Sequence, residues 1–450
     1  MKKLLLGSTA LVVGGMMAAP AMAADPIKIG VGGYYTFYAL AGNIDSTYAY
    51  NGSFTGYKGF AFTQEGEIHF LGQTKLDNGT SVGLTVELEA WNPGSGAPNA
   101  QIDEAFLYAF GDWGRVELGS RDAASYRMYY GTPSALIGWG AFQHNHNWAS
   151  NSVIGFNKGY ARTMATTITP QWQDVNRINY FTPRFQGLQI GVGYAPKMNS
   201  TSNGGIAASG PGNPSGICGY NNATNINNCP TSDYTYQDLF DVGANYLNKF
   251  GNFTVALYGA FAYASFVPGF SPFTPSANMN TGANLTSWKQ WVVGAQFGFS
   301  GFTVGGAVGY DNNGVGANYY TGNDDSTRFY TAGVMYETGP WQMSFMWAGF
   351  YNQNGNGNSN ITAIATGTQA ITTTACAGVP GRNSTCFNGN PATALAFGSN
   401  VVNKWEVGAN YALGPGVKLT GGAMMYNASG PTNSTSGNSW AFLLGMDLRF

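Results

Sequence analysis

Over its last eleven residues the chain sets a large apolar side chain at every second position, Trp440, Phe442, Leu444, Met446, Leu448 and Phe450, with Ala441, Gly445, Asp447 and Arg449 between them. A period of two belongs to a strand that is greasy on one face and wet on the other. The pattern recurs along most of the sequence in stretches of strand length. In TSVGLTVELEA, Val82, Leu84, Val86 and Leu88 alternate with Thr85, Glu87 and Glu89. Leu188, Ile190, Val192 and Tyr194 repeat it, as do Phe253, Val255 and Leu257, then Phe302, Val304, Val308 and Tyr310, then Trp405, Val407, Ala409 and Tyr411.

The connectors between these stretches come in two kinds. Seven are tight: LDNG (76–79), GDWG (111–114), TPRFQG (182–187), NKFGN (248–252), FSGF (299–302), ETGP (337–340) and LGPG (413–416). Their Gly, Pro, Asn and Asp residues supply the backbone angles that hairpins require. Eight others are longer and polar, at about 41–58, 92–100, 122–175, 197–235, 265–287, 312–326, 353–402 and 428–438. Short and long connections alternate strictly, which predicts sixteen up-and-down strands with tight turns at one end and long loops at the other.

An open sheet of that width exposes two edges. Closure removes them, and in lipid closure is compulsory, because an unpaired backbone group in hydrocarbon costs several kcal/mol. The expected fold is therefore all-β, a 16-stranded antiparallel transmembrane β-barrel, apolar toward lipid and polar toward a lumen wide enough to hold water. Tyr34, Tyr35, Phe37, Tyr38, Trp91, Trp288, Trp341 and Trp405 lie near strand ends, where interfacial aromatic girdles are expected.

Composition agrees. Charged residues make up 9% of the chain, against roughly 25% in a typical soluble domain, yet the mean hydropathy is slightly negative. Interleaved apolar and small polar residues produce that combination. The start carries Lys2 and Lys3, an apolar stretch from Leu4 to about Ala19, then Ala21-Met22-Ala23. This predicts a secretory signal peptide over 1–23, cleaved before Ala24, with 24–450 as the barrel. No later apolar run reaches the roughly 20 residues of a spanning helix. The four cysteines form two close pairs, Cys218 with Cys229 and Cys376 with Cys386. In an oxidising compartment each pair is expected to clip its own loop, although four cysteines allow three connectivities.

With these features in place the chain resembles the general diffusion porins of Gram-negative outer membranes, most closely the alphaproteobacterial type. The residues that carry the resemblance are EGEIHFLGQTKLDNGTSVGLTVELEA (65–90), IDEAFLYAFGDWGRVELGSRD (102–122), RINYFTPRFQGLQIGVGYAP (177–196) and the terminal stripe ending on Phe450. The resemblance implies a homotrimer in outer-membrane lipid, delivered by the barrel assembly machinery through the signal Trp440, Phe442, Leu444, Met446, Leu448 and Phe450. It implies passive passage of ions and small hydrophilic solutes, and a third long loop folded inward as a constriction. A channel selective for one solute class, a sugar or an anion, is the alternative within the same barrel type.

The third long stretch, 122–175, is the longest connection and unusually aromatic for a loop, with Tyr129, Tyr130, Trp139, Phe142 and Trp148. Free in water it would expose a greasy patch; inside a barrel it would be covered. Between Ala123 and Gln173 it has no Asp or Glu, but it has Arg127, Lys158 and Arg162. Porins of this type usually carry carboxylates on that loop, so the chain departs from the pattern. Strand alternation points Glu65, Glu67, His69, Glu87, Glu89, Arg115, Glu117, Arg121 and Arg177 into the lumen, with Lys404, Glu406 and Asp447 on later strands. Opposed charges across a narrow gap orient dipolar solutes. The expectation is a transverse field with a basic loop and a partly acidic wall. The plainer reading is that the four glutamates of the second and third strands pair with arginines and anchor the loop.

Other chemistry is thin. No metal site is expected at His144-Asn145-His146, where hydrogen bonding within the loop suffices, and no cofactor is expected beyond a possible loop calcium at Asp311, Asp324 and Asp325. There is no phosphate-cradling loop, zinc-helix motif or nucleophile elbow, so neither an enzyme nor a nucleic-acid partner is expected. An energised transporter would carry a plug domain before its first strand. A soluble β-rich binding protein would stay out of the membrane fraction, whereas a trimeric porin requires detergent.

Overall fold

The computed structural model describes residues 26–44, 58–90, 102–136, 175–197, 235–267, 287–312, 326–354, 374–375, 385–386, 398–429 and 437–450. Sixteen strands close into one antiparallel barrel. They are β1 (Lys28–Ile44), β2 (Lys58–Lys75), β3 (Ser81–Glu89), β4 (Ile102–Gly111), β5 (Gly114–Arg121), β6 (Val175–Phe181), β7 (Leu188–Lys197) and β8 (Thr235–Phe250). They continue with β9 (Phe253–Val267), β10 (Trp288–Phe299), β11 (Phe302–Asp311), β12 (Thr327–Thr338), β13 (Trp341–Asn354), β14 (Gly398–Gly414), β15 (Val417–Ser429) and β16 (Gly437–Arg449). Every strand pairs with its neighbours in sequence, and β16 pairs with β1 from Tyr34↔Arg449 to Ile44↔Ser439. The Phe450 N–H donates to Gly33 O at 3.1 Å and the Gly33 N–H to Phe450 O at 3.0 Å. The last residue is thus a rung of the ladder, and the sheet has no open edge.

All seven tight turns appear where the sequence placed them, each with a glycine at positive φ: Gly79, Gly114, Gly187, Gly251, Gly301, Gly339 and Gly416. At Ser300-Gly301 both residues are left-handed, with φ of 51° and 85°. That is the pattern of a type I′ hairpin turn, whose twist matches the strands it joins.

The alternation sorts the two faces as expected. On β16, Leu444 is 66% exposed while Leu443 beside it is 4% exposed. Phe62, Phe70, Leu84, Leu107, Leu118, Ile178, Val304 and Phe345 continue the exposed band around the barrel. An apolar surface of that extent is foreign to a water-soluble monomer and natural against hydrocarbon. Among the described residues no helix is long and apolar enough to cross a membrane; the strands do so.

Two expectations need correction. The aromatics near strand ends do not all join girdles: Tyr38 and Trp288 are fully buried on the inner face, and Tyr34 points inward to hydrogen-bond Glu67. The cause is phase, since Tyr34 lies opposite Glu67 and Thr36 opposite Glu65, which puts the even positions of β1 in the lumen. The lumen is also less polar than the alternation implied. Tyr38, Leu40, Phe329, Met346, Phe350, Val402, Met424, Tyr426 and Leu443 form a buried cluster on the inner faces of β1 and β12 to β16, toward the long connections. Where both faces of a strand are apolar, as in MSFMWAGF or AFLLG, period two loses its contrast.

Outside the barrel, Thr374–Ala375 pairs with Thr385–Cys386 in a short ladder. The expected signal peptide, Cys218, Cys229 and Cys376 of the expected disulfides, and Trp91, His144, His146, Asp324 and Asp325 lie outside the described residues.

Candidate functional site

The third long connection leaves β5 at Asp122, and its described part runs to Leu136. It opens with a single helical turn, α1 (Ala124–Arg127). The segment then follows the inner wall strand by strand. The Ser125 N–H donates to Asp241 Oδ2 on β8 at 2.7 Å, Tyr258 of β9 donates its hydroxyl to Ser125 O at 2.7 Å, and Asn245 Nδ2 donates to Met128 O at 3.0 Å. Further on, Thr132 bonds to Thr331 of β12, the Ala135 N–H donates to Ser344 Oγ of β13 at 2.7 Å, Ser134 bonds to Glu406 of β14, and Asn410 Nδ2 donates to Ala135 O at 2.7 Å.

Glycines make this close approach possible. Gly294 (β10), Gly305 (β11) and Gly333 (β12) face inward, and a Cβ there would run into Tyr130 O, Gly131 O and Thr132 Cγ2 respectively. Three successive strands thus receive three successive loop residues, the first two by their backbone carbonyls and the third by the Thr132 methyl. Gly408 and Gly422, paired on β14 and β15, make room for Leu136, whose Cγ would lie 2.5 Å from a Cβ at Gly408. Met128 and Leu136 join the inner apolar cluster, with Tyr129 edge-on to Tyr258 at 5.3 Å. The greasy makeup of this segment is therefore met by the wall.

Around the root of the connection lies a charged belt. Arg115 Nε bonds Glu117 Oε1 at 2.6 Å, and Glu117 in turn takes Arg127 of α1. Arg121 bridges Glu87, at 3.3 Å, and Glu104. Arg177 meets Asp241 at 3.3 Å, with both side chains 1% exposed. Burial pushes the Asp122 carboxyl up to about 6, against the pull of Arg121, Arg177 and Arg127. Farther along, Lys404 and Glu406 form a buried pair at 3.6 Å.

On β2 and β3 the register sets Glu67 opposite Glu89 and His69 opposite Glu87. Glu65 is on the same inner face, and Asp103 is close enough to act electrostatically on it. Of the charged residues predicted to line the pore, Glu65, Glu67, Glu87, Glu89, Arg115, Glu117, Arg121, Arg127 and Arg177 all sit on this inner surface. Lys158 and Arg162 lie outside the described residues. Glu104 and Asp241 had gone unnoticed. Glu104 keeps step with buried Phe106 and Tyr108 on the inner face of β4, and the aromatic rings at those positions hid that phase from a reading that sends apolar residues outward. Asp241 sits between exposed Phe240 and half-buried Val242, an apolar–acidic–apolar signal that was available.

The Arg177–Asp241 pair supports a direct prediction. Removing one member of a buried pair leaves the other uncompensated and costs about 3–5 kcal/mol. Arg177→Ala is expected to destabilise the barrel on that scale and to loosen the Ser125 tie to Asp241. A urea midpoint in detergent equal to that of the parent would contradict this.

A closed barrel with an apolar band outside and a charged belt within defines a membrane channel. The Gram-negative porin family model matches residues 7–431, so the chain belongs to that family of outer-membrane channels for passive diffusion. The same fold is seen in the anion-selective porin from Comamonas acidovorans, at 14% identity and a TM-score of 0.52 over 94% of this chain and all of that one. It is also seen in a loop L8 deletion mutant of OmpT, an outer membrane protein of Vibrio cholerae, at 9% identity and a TM-score of 0.52 over 95% of this chain and all of that one. No curated protein matches in sequence.

Proposed function

We propose that the lumen is a general diffusion pore with a preference for cations, narrowed by the connection 122–175. The observation that carries this is the crowding of Glu65, Glu67, Glu87 and Glu89 on adjoining inner positions of β2 and β3, in a chain whose third long connection has no carboxylate between Ala123 and Gln173. Fixed charge on a low-dielectric wall raises the local concentration of oppositely charged solutes. The Comamonas protein is named for anion selectivity, but a likeness at 14% identity carries fold and not pore charge.

In the same reading residues 1–23 are removed on export, the terminal stripe is presented to the barrel assembly machinery, and three copies associate in the outer membrane. Swelling of proteoliposomes in solutes of graded size and charge tests the pore. Small neutral sugars should enter at rates that fall smoothly with size, and small cationic solutes faster than anionic ones of equal size. A sharp preference for one sugar would favour the solute-selective alternative instead. Mobility in detergent gels before and after boiling, together with crosslinking, tests the trimer.

A further inference from the structure

We propose that Glu67, His69 and Glu87 form a transition-metal site in the pore wall, one that takes a Zn2+-like divalent ion and reduces conduction when filled. The inference arises from register. Glu67 and His69 are two residues apart on β2 and share a face, and Glu87 sits directly opposite His69 on β3. Cross-strand neighbours of an antiparallel pair stand roughly 4.5–5.5 Å apart at Cβ, so a rigid hairpin delivers three donors to one spot. Their ligating atoms all lie within 4.8 Å of one another, and His69 Nε2 is 2.7 Å from Glu67 Oε2.

The donors are also oriented from behind. Tyr34 donates its hydroxyl to Glu67 Oε1 at 2.9 Å and sets its ring edge-on to the His69 imidazole at 6.3 Å. Arg121 Nη1 holds Glu87 Oε1 at 3.3 Å. Such supporting groups fix the direction of a ligand set. One imidazole nitrogen with two carboxylate oxygens suits zinc, nickel or cobalt, whereas magnesium and calcium seek oxygen alone. Zinc–ligand distances of about 2.0–2.2 Å require the donors to draw in slightly and the His69–Glu67 hydrogen bond to open. His69 and Glu67 are partly open to the lumen and Glu87 lies nearly buried beside them, so an ion can arrive from water on the His69 side and keep water in its remaining positions. Arg121 opposes a cation here, and Glu104, which shares that guanidinium, offsets part of its charge.

Binding stands on the geometry alone; the effect on current rests on the proposed pore. The test therefore reads both. Purified protein in detergent is titrated with ZnCl2 by calorimetry, and single channels in KCl are recorded as ZnCl2 is added and then chelated. One Zn2+ per chain is expected, weakened about ten-fold or more in His69→Ala and in Glu87→Gln, and retained in a His144→Ala, His146→Ala double variant. The current should fall with Zn2+, recover with chelator, and ignore an equal concentration of MgCl2. Zinc binding unchanged in both His69→Ala and His69→Gln would overturn the site. Binding with no change in current would overturn its place in the conducting path. A protein that shows no channels before any zinc is added would instead refute the pore.

Discussion

Gly305→Leu combined with Gly333→Leu is expected to raise single-channel conductance by roughly two-fold, because conductance follows the open cross-section of a wide barrel. The two glycines are direct partners on β11 and β12 and face inward. Their missing side chains are what lets Gly131 and Thr132 lie on the wall. A leucine at each position fills that seat, and the connection must lift away. The strands keep their lipid-facing stripe, since exposed Val304, Tyr330 and Phe345 are untouched and the hairpin turns lie elsewhere. The overpacking cost of about 1–3 kcal/mol per site is shared between the loop seat and the adjoining strands, where the new Cβ atoms also meet Gln296 and Met346. Gly259→Leu is the control, because a Cβ there meets nothing within 4 Å; its conductance should equal the parent's. Swelling should report the same change as faster entry of larger sugars. Unchanged conductance in the double variant would mean that the connection does not depend on this seat.

That seat lay beyond the reach of the sequence, and the reason is instructive. Sheet topology followed from two local signals, the period of two and the turn residues, and both are properties of short windows. Gly301 and Gly416 announced hairpins because their neighbours in sequence are also their neighbours in space. Gly294, Gly305 and Gly333 look no different in composition, yet their role is fixed by residues 130–132, well over a hundred positions away. The same limit explains the charges. Alternation pointed Glu117 into the lumen and the third long connection carried Arg127, but that they share a bond could not be read from spacing, nor could the joining of Arg177 to Asp241. The inner apolar cluster is a third case. Leu443 interrupts the polar face of β16, and alternation treats it as noise until the fold shows Leu40 paired with it across the seam.

Neutralising the glutamates of β2 and β3 is expected to move the reversal potential. In Glu65→Gln, Glu67→Gln, Glu87→Gln, Glu89→Gln protein under a KCl gradient, the ratio of K+ to Cl− permeability should fall by roughly two- to five-fold, the scale on which a charged cleft enriches one ion sign. The electrostatic origin has its own signature. At 0.1 M salt the screening length is about 10 Å and at 1 M about 3 Å, so the difference between parent and variant should be large in dilute KCl and small in concentrated KCl. An anchoring role predicts otherwise. Glu87 shares Arg121 with Glu104, and loss of such a tie would change conductance by moving the wall, with no such dependence on salt. Single Glu87→Gln separates the two further, since it removes the Arg121 bond, whereas Glu67→Gln on the same inner surface leaves that bond in place. Equal shifts in reversal potential from both single variants would place their effect in the field; a change confined to Glu87→Gln, insensitive to salt, would place it in the anchor and remove the ground for cation preference.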